Sequence, residues 1–197
     1  MVTNVRILRW LLVISTLIPV SAFAQHLEIG IFGNYDRQDI PNAAENLLGV
    51  GGRADVNITR IIQMEVELAY DFKNPHFVTS TQPNAVLLNS TELGILHANA
   101  GLKIQTKGGS LFGFVKGGAN RYDTEAKVET LTAIPLGITT SQVPGRSFSK
   151  GVLYPGAGLG FHAGPLGIRM DAGDEITWID GSMHNSLRVT FGPTIKF

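Results

Sequence analysis

Cysteine is absent from all 197 residues, which removes disulfides, thiolate nucleophiles and thiolate metal ligands together. Charge is scarce too. Only 16% of the residues are Asp, Glu, Lys or Arg, and 16 basic side chains offset 16 acidic ones, so there is no footprint for nucleic acid or another polyanion. Beyond the first two dozen residues no apolar run approaches the ~20 residues that a helical membrane span needs, so any crossing after that point is made of strands. What the chain has instead is glycine, 23 of them, in a composition that is 44% hydrophobic. That mixture suits a single turn-rich sheet domain better than a helical enzyme.

The first segment is the one long apolar stretch. Arg6 and Arg9 precede the run from Trp10 to Val20, and Ala22-Phe23-Ala24 offers small residues at the two positions a signal peptidase reads. Residues 1–24 therefore read as a signal peptide, with cleavage expected after Ala24, and 25–197 as the mature domain. With both leader arginines removed, 14 basic side chains face 16 acidic ones.

The mature chain repeats segments of about ten residues in which apolar positions alternate with polar ones or glycine, as strands of a membrane barrel do. In the last segment Leu187, Val189, Phe191, Pro193, Ile195 and Phe197 share one face; Arg188, Thr190, Gly192, Thr194 and Lys196 share the other. In the third, Ile62, Met64, Val66, Leu68, Tyr70 and Phe72 alternate with Gln63, Glu65, Glu67, Ala69 and Asp71. Eight such strands are expected, near 27–35, 48–57, 62–72, 93–105, 111–122, 152–162, 168–178 and 187–197. Links near 58–61, 107–110 and 164–167 are short, while those near 36–46, 73–90 and 123–150 are long, with apolar islands at Val86-Leu87-Leu88 and from Leu131 to Ile138. Only the last link on the long side, near 180–185, is short. Short turns on one side and long loops on the other are the barrel habit, with the short turns periplasmic.

Two turns test the register. Lys107-Gly108-Gly109 suits a tight turn with the glycines at positive φ; it sets Lys103 beside Phe112 or Phe114 and sends Lys116 inward, although the phase of that strand stays open. A turn over Gly164-Pro165-Leu166-Gly167 sets His162 opposite Arg169.

Collected by phase, the inward set is Glu28, Arg53, Asp55, Glu65, Glu67, Asp71, Lys103, Arg169, Asp171, Glu175, Arg188 and Lys196. Eight strands leave an interior that side chains fill, so mutual pairing in a closed polar core is the expected use of these groups. Arg53 is expected opposite Glu67, and Glu28 near Lys196. Tyr35, Tyr70, Tyr122, Tyr154 and Trp178 all fall at strand ends on the long-loop side and read as an aromatic girdle at a headgroup boundary, even though strict phase turns Tyr122 and Tyr154 inward. Asp174 breaks the pattern by facing lipid, which calls for a bulge near Gly173 or a shifted register. His184 and Ser186 share a face, but no orienting acid or oxyanion site accompanies them, and the histidines lack a recognisable metal spacing. The long polar loops, in which 127–132 and 138–143 can extend a hairpin, are where recognition would sit.

On these features the mature chain resembles the small outer-membrane β-barrel proteins, a family that includes OmpA-like, OmpX-like and OmpW-like barrels. The matching segments are the glycine-rich Gly156-Ala157-Gly158-Leu159-Gly160-Phe161, the Gly167-Ile168-Arg169-Met170-Asp171 strand, and the aromatic-terminated Val189 to Phe197. The resemblance implies an all-β fold, an eight-stranded antiparallel up-and-down transmembrane barrel. It also implies contact with outer-membrane lipid and lipopolysaccharide, and an assembly signal for the outer-membrane assembly machinery in Val189, Phe191, Ile195 and Phe197.

The expected function is a non-enzymatic, structural or surface-recognition role, as a monomer and without cofactor, catalytic residue, metal or nucleic acid. Alternatives are a membrane-embedded enzyme acting on lipid or lipopolysaccharide, a narrow channel for small solutes, and a soluble lipocalin-like barrel, which would turn the apolar face inward.

Overall fold

The computed structural model describes residues 27–40, 43–82, 85–132, 137–179 and 181–197. The leader read over 1–24 lies outside the described residues. Eight strands follow in order: β1 (Leu27–Ile40), β2 (Ala43–Asn57), β3 (Ile62–Gln82), β4 (Ala85–Gln105), β5 (Leu111–Thr132), β6 (Gly137–Ala163), β7 (Leu166–Ile179) and β8 (Ser182–Lys196). Each pairs antiparallel with its sequence neighbour, and β1 pairs with β8 to close the barrel. Tracing partners from Glu28 through Asp55, Glu65, Gly101, Lys116 and Tyr154, then on through Ser186, returns to β1 at Gln38, ten residues further along. A stagger of that size tilts the strands by roughly 40° and fits the girth of an eight-stranded barrel.

The two faces are those of a protein turned inside out. On β3, Val66 and Leu68 are 48% and 62% exposed, whereas Glu65 and Glu67 are 0% and 2%. Apolar side chains stand outward on the other strands too, among them Ile31, Val50, Leu102, Val115, Ile168 and Phe191. The phase of β5 resolves with Phe112, Phe114 and Lys116 inward and Leu111 and Val115 outward. A lipocalin-like arrangement is excluded by this inversion.

The short turns and both ends of the barrel share one rim, where the amide of Phe197 donates to the carbonyl of Leu27 at 2.8 Å. Between β4 and β5 the amide of Gly109 donates to the carbonyl of Thr106, and Gly109 takes φ 70°. Gly108 does not share that conformation among the described glycines, so one glycine meets the backbone demand where two were expected. The β6–β7 turn is tighter than expected. Gly164 at φ 65° allows a two-residue turn, Ala163 pairs with Leu166, and His162 therefore faces Gly167 while Arg169 faces Gly160. The expected His162–Arg169 pairing is thus corrected, because Leu166 joins the strand with its side chain on the outer face.

At the other rim the chain departs most from expectation. The segments read as long loops are largely strand: β3 pairs with β4 out to Gln82 and Ala85, and β5 with β6 out to Thr132 and Gly137, so 127–132 and 137–142 do form an extended hairpin. Among the described residues, pairing between β2 and β3 stops at Gly49 and Asp71, and between β6 and β7 at Val152 and Thr177. Closure is lost at those two seams, and β3 to β6 continue outward as a four-stranded blade whose outer edges, β3 and β6, each have one partner. The β7–β8 link stays short, as the sequence indicated, with Ile179 opposite Ser182.

No bulge accommodates Asp174. Its register against β8 is regular, opposite Leu187, and its carboxylate accepts a hydrogen bond from Asn185 Nδ2 at 3.0 Å. The side chain reaches towards the outer rim and finds a donor there, so no shift of the backbone is required.

Candidate functional site

Strand alternation aims one charged residue from nearly every strand into the same closed space. Arg169 on β7 sits at the centre of a first layer, with Nη1 3.2 Å from Asp55 Oδ2, Nη2 2.8 Å from Glu65 Oε2 and Nε 2.9 Å from Asp171 Oδ2. Lys116 bridges Glu65 and Glu67 at 2.6 Å each, Lys103 lies 3.0 Å from Asp55, and Arg53 pairs with Asp171. Four carboxylates thus meet four cations. Aromatic rings complete this packing: the Arg53 guanidinium lies 4.2 Å from the Phe32 ring centre, Arg169 4.4 Å from Phe112, and Lys116 4.5 Å from Phe114. Those rings in turn need room. A Cβ on Gly51, Gly158 or Gly156 would stand 2.3 Å from the ring of Phe32, Phe112 or Phe114 respectively, so glycine at these inward positions is a steric requirement.

Of the twelve inward charges expected, eleven are buried and Lys196 stands half-buried at the inner rim, 3.6 Å from Glu28. Arg53 is level with Glu67 as expected, but its ion pair is with Asp171 across the interior. Glu67 is held by Lys116 and by Arg188 Nη2 at 2.8 Å. Flat register names the neighbour on the sheet; in a tube only two side chains wide, the partner across the axis is as close. Lys116 and Asp36 also belong to the interior, outside the twelve expected. Parity alone points to Asp36, which lies an even number of residues from Glu28; a loop-like composition from Asp36 onward masks that signal.

Further out, Arg188, Asp36, Asp71, Glu175 and His97 form a second layer, closed on the outer side by Leu47, Leu93, Ile95 and Tyr122, which pack as a buried apolar cluster. The girdle is corrected at two positions. Tyr35, Tyr70 and Trp178 face outward, 36%, 37% and 49% exposed, but Tyr122 and Tyr154 are inside at 4% and 0%. Proximity to a strand end does not set phase, and both hydroxyls find interior partners, Tyr122 with Thr177 and Tyr154 with the Arg188 carbonyl. Phe72 extends the outer belt by an edge-on contact with Tyr70 at 6.0 Å. The Ser186 hydroxyl points inward and donates to Gln38 Oε1 at 2.9 Å, which leaves it engaged by an amide rather than by His184.

The terminal strand presents Phe191, Ile195 and Phe197 outward, with Val189 half-buried on the same face.

A closed tube with charged filling and an aliphatic exterior defines a class, the transmembrane β-barrels, and its eight strands narrow it to the small outer-membrane barrels, whose fold the chain has. No protein-family model matches the sequence and no curated protein matches it. Among solved structures it is similar to Ail, the attachment invasion locus protein of Yersinia pestis, in complex with the heparin analogue sucrose octasulfate. That likeness has 16% identity and a TM-score of 0.50 over 86% of this chain and 97% of that one. It is also similar to Neisserial surface protein A, with 11% identity and a TM-score of 0.46 over 87% and 97%. The N-terminal β-barrel domain of Pseudomonas aeruginosa OprF matches at 12% identity and a TM-score of 0.46, over 86% and 97%.

Proposed function

We propose that the protein is an exported, integral outer-membrane barrel that does not conduct and that displays a surface for recognition. The observation that carries this reading is the division of the molecule at the two seams. Within the barrel every strand has two partners and the interior is occupied by paired charges; beyond it, a four-stranded blade continues for about ten residues, or ~30 Å along the strand. A purely structural plug has no use for such an extension. Among the described residues no second strand pairs with β3 or β6 past the seams, and a strand edge of that kind is one an extended ligand segment can complete. Lys73 on β3 and Glu125 on β5 pair at 2.5 Å at the root of the blade.

In this reading the aliphatic exterior contacts lipid and lipopolysaccharide, Val189, Phe191, Ile195 and Phe197 present the strand that the outer-membrane assembly machinery reads, and the barrel acts as a monomer without enzymatic activity. Two measurements test it. The folded barrel is expected in outer-membrane fractions with heat-modifiable migration on gels and no unitary current in planar bilayers; recovery as a soluble periplasmic protein, or steady conductance, overturns the placement or the closed interior. Cells displaying the full barrel are expected to bind at least one member of a panel of immobilised glycans and matrix proteins. A variant with 74–91 and 126–143 each replaced by a short turn is expected to keep its heat-modifiable migration and lose that binding. Equal binding by both forms, or none by the full barrel, removes the recognition role.

A further inference from the structure

The first layer of the interior is balanced, but the second is short of positive charge. Asp36, Asp71 and Glu175 are each 0% exposed, and the permanent cation among them is Arg188, which also holds Glu67. His97, again 0% exposed, stands between them: Nε2 is 2.9 Å from Asp71 Oδ2 and 3.9 Å from Asp36 Oδ2, and Nδ1 is 3.3 Å from Glu175 Oε2. Asp36 Oδ1 is buried and has no hydrogen-bond partner among the described residues. An uncompensated carboxylate oxygen away from water is costly, and native interiors rarely leave one so.

We propose that His97 Nε2 and one oxygen each from Asp36 and Asp71 hold a single divalent transition-metal ion of the Zn²⁺ type. The three groups already have donor atoms within 4.8 Å of one another. Bonds of 2.0–2.1 Å at near-tetrahedral angles set ligand atoms roughly 3.3 Å apart, close to the 2.9 Å between Nε2 and Asp71 Oδ2. Each ligand is also held by a partner that occupies its other atom. Glu175 Oε2 faces Nδ1 at 3.3 Å, so Nε2 is the ring nitrogen turned towards Asp71 and Asp36; Asn34 Nδ2 donates to Asp71 Oδ1 at 2.5 Å, leaving Oδ2; and Gln38 Nε2 donates to Asp36 Oδ2 at 2.7 Å, leaving Oδ1. That is the outer-shell support metal-binding histidines and carboxylates require. Charge closes as well, since a dication offsets Asp36 and Asp71 while Arg188 offsets Glu175. One imidazole with two carboxylates favours Zn²⁺, Mn²⁺ or Fe²⁺ over Ca²⁺, which takes six to eight oxygens. The three ligands are far apart in sequence, on β1, β3 and β4, which is why no local spacing announces them. Ile95 and Leu93 lie beyond His97 on the same face of β4 and belong to the apolar cluster that closes this layer, so the ion is captured as the barrel forms and exchanges slowly afterwards.

The test uses the full mature barrel refolded in detergent with Zn²⁺ or Co²⁺, then dialysed against buffer without metal. About one ion per chain is expected by elemental analysis, with visible Co²⁺ bands of a low-coordinate site and a higher melting temperature than protein refolded with chelator. Asp36→Asn and His97→Gln are expected to retain less than a tenth of the metal, and Glu175→Gln to weaken retention 10–100-fold. His162→Gln, at the inner rim, is expected to retain it fully. Wild-type protein that folds by heat-modifiable migration yet holds far less than one ion and shows no Co²⁺ bands overturns the site, as does full retention by both ligand variants. The wild-type measurement decides by itself, so a variant that fails to fold does not change the outcome, and neither result bears on whether the blade binds a surface ligand.

Discussion

Replacing Arg169 with methionine is expected to destabilise the barrel by about 3–5 kcal/mol, the cost of leaving buried charges without their partner. The side chain is 2% exposed and holds Asp55, Glu65 and Asp171 at once. Methionine preserves much of the volume against the Phe112 ring, so the loss reads the electrostatics rather than a cavity. Lys116 and Lys103 remain beside Glu65 and Asp55, which keeps the effect below complete unfolding. Lys196→Ala is the matched control. Its side chain is a third exposed and pairs with Glu28 at 3.6 Å, so a change below ~1 kcal/mol is expected. Urea titration of both variants in lipid vesicles, followed by tryptophan fluorescence, measures the difference. If the Arg169 variant melts with wild-type protein, the buried pairs are not what holds the interior together.

The second large effect lies on the opposite face. Val66 is the middle member of the outward series Ile62, Met64, Val66, Leu68 and Tyr70, between the inner rim and the tyrosine that marks the outer boundary, so it stands near the depth of the bilayer centre. Val66→Arg is expected to cost about 2–4 kcal/mol in vesicles. Because Val66 is 48% exposed in the isolated chain, the same change in a water-soluble barrel would be close to neutral, so the sign and size of the effect report which solvent that face meets. An unchanged urea midpoint in vesicles would remove the membrane from the account altogether.

How much of this is legible in the chain follows from one periodicity and its gaps. Alternation at period two reveals faces wherever charge and aliphatic residues alternate cleanly, as between Glu65 and Leu68 or Arg188 and Phe191, and it places all eight strands. It fails where glycine supplies neither sign, as from Gly49 to Gly52, and where a residue's type is compatible with both faces, as for Tyr122 and Tyr154. Turn length is less readable still. The error at His162 comes from counting a four-residue turn where a positive-φ glycine permits two. The blade is hidden because Thr- and Ser-rich strand outside a membrane has no lipid-facing side to create alternation. The Asp36, Asp71 and His97 group is hidden for a different reason: it is assembled by the stagger of the sheet, which sequence spacing does not encode.

The two seams have a consequence for how such a molecule changes over time. Everything between the short turns and the tyrosines is held to a fixed number of hydrogen-bonded rows, because bilayer thickness sets that number and a missing row would leave polar backbone in hydrocarbon. Past Asp71 on β3 and Val152 on β6 no such ruler applies, since the blade's rows pair only among themselves. Residues can therefore be gained or lost in pairs at the β3–β4 and β5–β6 tips without disturbing a single contact of the anchored portion. The exposed half is free to drift in length and sequence while the embedded half stands still.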